Sequence, residues 1–169
     1  MAMRIIIDGY NLIGMQKGLH GDIERRREEL IRQLQQYRRR RGYAVTVVFD
    51  GWRSGNAWER EEDRGGVTVV FTRDGERADE VIGRMAERWR EGAIVVSSDR
   101  EVMNQARRAG AVALRSGEFE PKLRESQADG MEDKDEGSAE YFPSTTEKRG
   151  NPRRLSKADR RKRRRLQKL

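Results

Sequence analysis

RIIIDG at residues 4–9 and AVTVVFDG at residues 44–51 share one pattern: a mostly apolar run, an aspartate, then a glycine. Runs of this length without polar alternation read as strands buried on both faces. The closing acid and glycine read as a turn at the strand's carboxyl end. Working outward, residues 23–41 carry Ile23, Leu30, Ile31, Leu34 and Tyr37 at spacings near 3.6 among many charges. That predicts an amphipathic helix with Asp22 as its N-cap and Gly42 as its stop. VTVVFT (67–72), AIVVS (93–97) and residues 111–114 predict three further strands. Residues 78–90 and 99–109 predict helices, and residues 116–128 one more packed on the core. The glycines at 9, 14, 18 and 21 space what reads as a long loop, and residues 51–66 read as another. Apolar strands separated by helices imply a mostly parallel sheet, hence a three-layer α/β fold.

The composition confines what such a fold can do. The chain has 169 residues, 34% hydrophobic and 39% charged, which leaves part of it outside any packed core. With no cysteine and a single histidine, His20, thiolate chemistry and multi-histidine zinc sites are excluded. No GxGxxG or GxxxxGK[ST] appears, which disfavours a nucleotide-binding protein. No apolar run approaches the ~20 residues of a membrane span, and the first apolar run meets an aspartate early, so the expected location is the cytoplasm.

The net charge of +8 is unevenly placed. Residues 148–169 hold 12 Lys/Arg against 1 acid, whereas residues 125–147 hold 8 acids against 1 base. The expected organisation is therefore a domain at 1–128, an acidic linker at 129–147 and a basic tail at 148–169. Arg160, Arg161, Lys162, Arg163, Arg164 and Arg165 form a block that repels itself and suits a polyanion, RNA above all. Removing 148–169 is expected to take away most salt-dependent RNA or ribosome binding and to leave the metal site intact. Trp52, Arg53, Trp58 and Arg60 interleave aromatic and basic side chains after Asp50, a composition that stacks bases and holds phosphates. Arg38 to Arg41 read equally well as a phosphate-facing patch or as a solvated helix end.

The acids carry the chemistry. In open parallel sheets ligands bind outside the carboxyl ends of the strands. Asp8 ends the first strand, Asp50 ends the second, Asp79 opens the helix after the third, and Asp99 follows the fourth. Each alone has an ordinary role as turn residue or N-cap. Together they would crowd one rim with negative charge that calls for a cation. Hard oxygen ligands suit Mg²⁺ or Mn²⁺, which activate water for phosphodiester hydrolysis. Asn11 could add an amide oxygen to a cation or hold a phosphate, and Ser97 and Ser98 could bond a phosphate or support Asp99.

The stretches IIIDGYNLIG (5–14), VVFDGW (47–52), FTRDGERADEVI (71–82) and VVSSDREV (95–102), with the ending NPRRLSKADRRKRRRLQKL, resemble the PIN-like NYN nucleases. Among these they look like the YacP-like branch of bacterial endoribonucleases. The resemblance implies a PIN-like parallel sheet and a divalent-metal ribonuclease site at Asp8, Asp50, Asp79 and Asp99, with Asn11 matching the asparagine of the first motif. It makes mRNA the expected substrate and a translating ribosome a plausible setting. The competing class is a non-catalytic RNA- or ribosome-binding module on a retired nuclease fold, which would tolerate loss of the acids. A DNA-directed nuclease is a third reading, because carboxylate–metal chemistry does not itself distinguish the sugars.

Overall fold

The structure, a computed structural model, describes residues 3–51, 57–128 and 156–169. Trp52, Arg53, the acidic linker and residues 148–155 lie outside the described residues. The elements are β1 (Arg4–Asp8), α1 (Gly9–Lys17), α2 (Ile23–Arg41), β2 (Ala44–Phe49), β3 (Arg60–Arg64), β4 (Val67–Phe71), α3 (Ala78–Trp89), β5 (Ala93–Val96), α4 (Arg100–Arg108), β6 (Val112–Leu114), α5 (Ser116–Ala128) and α6 (Lys157–Leu166).

Six strands form one sheet in the order β3-β4-β2-β1-β5-β6, parallel except where β3 pairs antiparallel with β4. Successive side chains along a strand point to opposite faces, and the two cores follow that alternation. Ile5, Ile7, Val45, Val47, Phe49, Val67, Val69 and Phe71 meet Leu12, Leu30, Ile31, Leu34 and Phe119 on the face covered by α1, α2 and α5. Ile6, Val48, Val70 and Val95 meet Val81, Ile82, Ala86, Val102 and Met103 of α3 and α4 on the other. The expected three-layer α/β architecture is what the chain adopts.

Three features depart from the sequence reading. Residues 9–17 form α1 and not a loop. Gly9 is needed there because a Cβ would lie 2.3 Å from the Phe49 ring. The stretch read as a loop at 51–66 contains β3, whose charged sequence REEDR suits an edge strand. The third departure concerns the basic tail. Its last residues do not project freely, because α6 packs along β6 at the sheet's other edge. Leu169 is buried in the α2-side core and Leu166 packs against it. Tyr43 Oη donates to the Lys168 carbonyl at 2.6 Å, and Lys162 pairs with Glu118 at 2.7 Å. Arg161 and Arg165 reach Glu91, the first through its carboxylate and the second through its carbonyl. Burial pushes the Glu118 carboxyl up, but Lys162 and the Arg115 N–H outweigh it and hold Glu118 below its ordinary value. The charge density that marks the tail as an arm thus also supplies the ion pairs that seat it. Arg160, Arg163 and Arg164 stay exposed.

Candidate active site

The chain runs from β1 outward through β2 to β4, then crosses back to β5 on the other side of β1. Where the order reverses, the segments leaving β1 and β5 part and open a crevice at the carboxyl edge. A hollow of about 220 Å³ lies at this edge, lined by Asp8, Tyr10, Asn11, Leu19, Asp50, Arg77, Ala78, Asp79, Asp99 and Val102. All four predicted acids and Asn11 therefore share one cavity, although four separate segments carry them.

Each acid is held differently. Asp8, the last residue of β1, is taken out of water by the strands beside it. Burial, reinforced by Asp50 and Asp99, lifts its carboxyl to about 6, although the Asn11 N–H and the Ser97 hydroxyl act against the rise. The Ser97 hydroxyl donates to Asp8 Oδ2 at 3.2 Å and accepts from the Asp99 N–H at 3.1 Å, so one buried serine ties the ends of β1 and α4 together. Asp99 is the N-cap of α4 and its Oδ1 accepts from the Glu101 N–H at 2.7 Å. Asp50 accepts from the Ala78 N–H at 2.5 Å, which makes a residue from the end of β2 the cap of α3. Burial again raises its pKa, with Asp79 adding and the Ala78 N–H and Arg77 subtracting. Asp79 stands in the first turn of α3, 3.4 Å from the Arg77 guanidinium.

Asp50 owes its position to a tight crossing below it. A Cβ on Gly51 would lie 1.5 Å from the Thr72 carbonyl oxygen. The close approach lets the Gly51 N–H donate to Thr72 Oγ1, and that hydroxyl donates on to the Glu76 carbonyl, both at 2.7 Å. A backbone oxygen cannot swing aside as a side chain can. Gly51→Ala is expected to lower stability by about 3 kcal/mol, at the upper end for overpacking, visible as a lower denaturant midpoint at unchanged slope.

Asn11 has a structural part besides the one expected. Its Oδ1 accepts from the Ser98 N–H at 2.8 Å and from the Ser116 hydroxyl at 2.7 Å. Both lone pairs of the amide oxygen are thereby used, so it locks α1 to the loop after β5 and to the start of α5. Ser116, fully buried, escaped the sequence reading, as did Tyr10 and Arg77. Arg60 lies on β3, pairs with Glu62 and does not line the hollow. Trp58 is 81% exposed beside it, and His20 sits in the turn before α2.

Among the described residues no three acidic or histidine side chains stand close enough to enclose a metal ion by themselves. The donor chemistry fits a hydrated ion better than a caged one. Mg²⁺ keeps several of its waters and takes one or two carboxylates from the protein. Four carboxylates around one hollow, faced by a single arginine among its lining residues, leave negative charge uncompensated.

Residues 5–168 match the model of the YacP-like NYN domain. The chain belongs to the YacP-like NYN domain family. It has the nuclease-like fold of that family. It is similar to the uncharacterized protein YacP of Bacillus subtilis, with 33% identity over 87 residues, covering 49% of this chain and 51% of that one. The chain thus spans about half the length of the curated relative it matches. It also resembles the crystal structure of Rae1 (YacP) from Bacillus subtilis, with a TM-score of 0.60, 26% identity, and coverage of 76% of this chain and 77% of the other. A single-substitution variant of the same protein gives a TM-score of 0.63 over 75% and 78%. Among the described residues no helix is long and apolar enough to cross a membrane.

Proposed function

We propose that this protein is a divalent-metal-dependent endoribonuclease that cleaves mRNA in the cytoplasm, with the translating ribosome as its setting. The observation that carries the reading is the convergence of Asp8, Asp50, Asp79 and Asp99 from four segments onto one hollow at the switch point of a nuclease-like fold. These four are the proposed holders of Mg²⁺ or Mn²⁺, one or two directly and the others through the ion's waters, and when bound the ion would supply a water acidic enough to attack a phosphodiester. Asp8, buried and pressed by two neighbouring acids, is the carboxylate with most to gain from a cation. Ser97 and Asn11 keep the segments leaving β1 and β5 in register so that the acids stay convergent. Arg53, Arg60 and the exposed arginines of α6 are proposed to hold RNA. Residues 1–128 would be the nuclease domain, 129–147 the linker, and 148–169 the basic segment that meets RNA or the ribosome.

The test is cleavage of an mRNA during translation in the presence of Mg²⁺ or Mn²⁺, comparing the wild type with Asp8→Asn. Cleavage by the wild type alone supports the enzyme. Equal cleavage by both, or none by either with the protein still on ribosomes, sinks it.

A further inference from the structure

Arg77 sits where helix stability does not want it. It is the N-cap residue of α3, yet its side chain makes no capping hydrogen bond, and arginine has no acceptor with which to make one. The capping role has passed to Asp50 through the Ala78 N–H. A cation at a helix N-terminus also faces the positive end of the macrodipole, whereas Asp79 and Glu80 in the first turn suit it. Positions that break a local rule without a stabilising return are where function is expected.

Its surroundings say which function. Among the residues lining the hollow, Arg77 is the one basic side chain, set against four carboxylates. Its Nη2 stands 3.4 Å from Asp79 Oδ2, longer than the roughly 2.7–2.9 Å of a tight charge-assisted bond. The Arg77 side chain is 69% exposed, so solvent screens the pair and little holds it in place. It also draws the Asp50 carboxyl down.

We propose that Arg77 is the phosphate-holding residue of this site: it neutralises Asp79 while the site is empty and turns to an RNA phosphate when a cation takes over the carboxylates. The planar guanidinium matches phosphate oxygens in pairs, and its loose hold on Asp79 makes the exchange easy. The inference rests on the metal-dependent ribonuclease reading and assigns the group that binds the substrate's charge there.

The two halves of the role predict effects of opposite sign. Arg77→Ala removes a positive charge that competes with the cation, so Mn²⁺, titrated into the free protein, is expected to bind about threefold tighter or more. The same variant is expected to cleave mRNA under translation about 100-fold more slowly, as when a donor to a developing negative charge is removed. Arg77→Lys should recover part of the cleavage. Arg73→Ala, which removes an exposed partner of Glu76 outside the hollow, should change neither measurement. The melting temperature of Arg77→Ala should hold or rise, since the dipole opposes the arginine. Weaker Mn²⁺ binding or a marked loss of thermal stability in Arg77→Ala would make the residue structural and overturn the inference. Cleavage by Arg77→Ala at the wild-type rate overturns it while leaving the ribonuclease reading standing. A wild type that neither binds Mn²⁺ nor cleaves removes that reading and the inference together.

Discussion

Asp8→Asn is expected to abolish cleavage and, in the metal-free protein, to make the fold more stable. The two effects have one origin. The Asp8 carboxyl is lifted from 3.8 to about 6, first by burial and then by Asp50 and Asp99. The folded protein therefore holds this proton more tightly than the unfolded chain does. Stability from this group is complete below about pH 4, declines as pH rises through about 6, and is gone by neutral pH. A shift of this size corresponds to about 3 kcal/mol of unfavourable charge burial at pH 7. Asparagine keeps the shape, removes the charge and leaves the Ser97 contact available. Chemical denaturation in a chelator should show Asp8→Asn more stable than the wild type by about 2–3 kcal/mol at pH 7 and nearly equal to it at pH 4. Added Mg²⁺ or Mn²⁺ should stabilise the wild type and not the variant, because ligand binding adds to the stability of the state that binds. A variant less stable than the wild type at pH 7 would mean that Asp8 is an ordinary satisfied turn residue. The loss of cleavage should exceed a thousandfold if this carboxylate holds the cation, since burial and two neighbouring acids leave it the most in need of one.

Why Asp8, Asp50, Asp79 and Asp99 were legible in the sequence, and other parts were not, has a physical reason. Strands buried on both faces are largely apolar, so β1, β2, β4 and β5 announce themselves; Asp8 and Asp50 close the first two at the carboxyl edge, and Asp79 and Asp99 open the helices that follow the other two. Topology then brings those residues together without any knowledge of side-chain contacts. α1 was hidden because its glycines read as loop. Gly9 answers to the Phe49 ring, 40 residues away in the chain, and local spacing carries no trace of that. β3 was hidden because REEDR is an edge strand, exposed for much of its length, and so has no apolar run. Ser116 meets Asn11 across 105 residues, a contact that no motif encodes. Arg77 was passed over because an arginine beside Asp79 looks like any surface ion pair until its helix-cap position is seen.

The basic tail makes the sharpest separable prediction. Deleting 148–169 would remove the proposed RNA contacts together with structural ones, because the proposal places both on α6. Its inward side includes Arg161, Lys162, Arg165 and Leu166, which together with Leu169 just beyond the helix seat it along β6. Its outward side presents Arg160, Arg163 and Arg164. Arg160→Gln, Arg163→Gln and Arg164→Gln combined should leave the denaturation midpoint nearly unchanged, as surface substitutions away from partners do. RNA affinity should fall, and the slope of log affinity against log salt should flatten by about 2, roughly 0.7 for each single-strand phosphate no longer neutralised. Leu169→Ala should do the reverse. It empties a buried site in the α2-side core and should destabilise the protein by about 2 kcal/mol or more, while leaving the salt slope of the folded fraction as it was. An unchanged slope in the triple variant would show that these arginines meet no phosphate. A destabilised triple variant would show that the two faces of α6 cannot be separated. The division itself has a physical rationale: a segment this basic cannot pack on its own charge. Glu91 and Glu118 from the domain neutralise one side, which leaves the other turned outward with its charge intact for a polyanion.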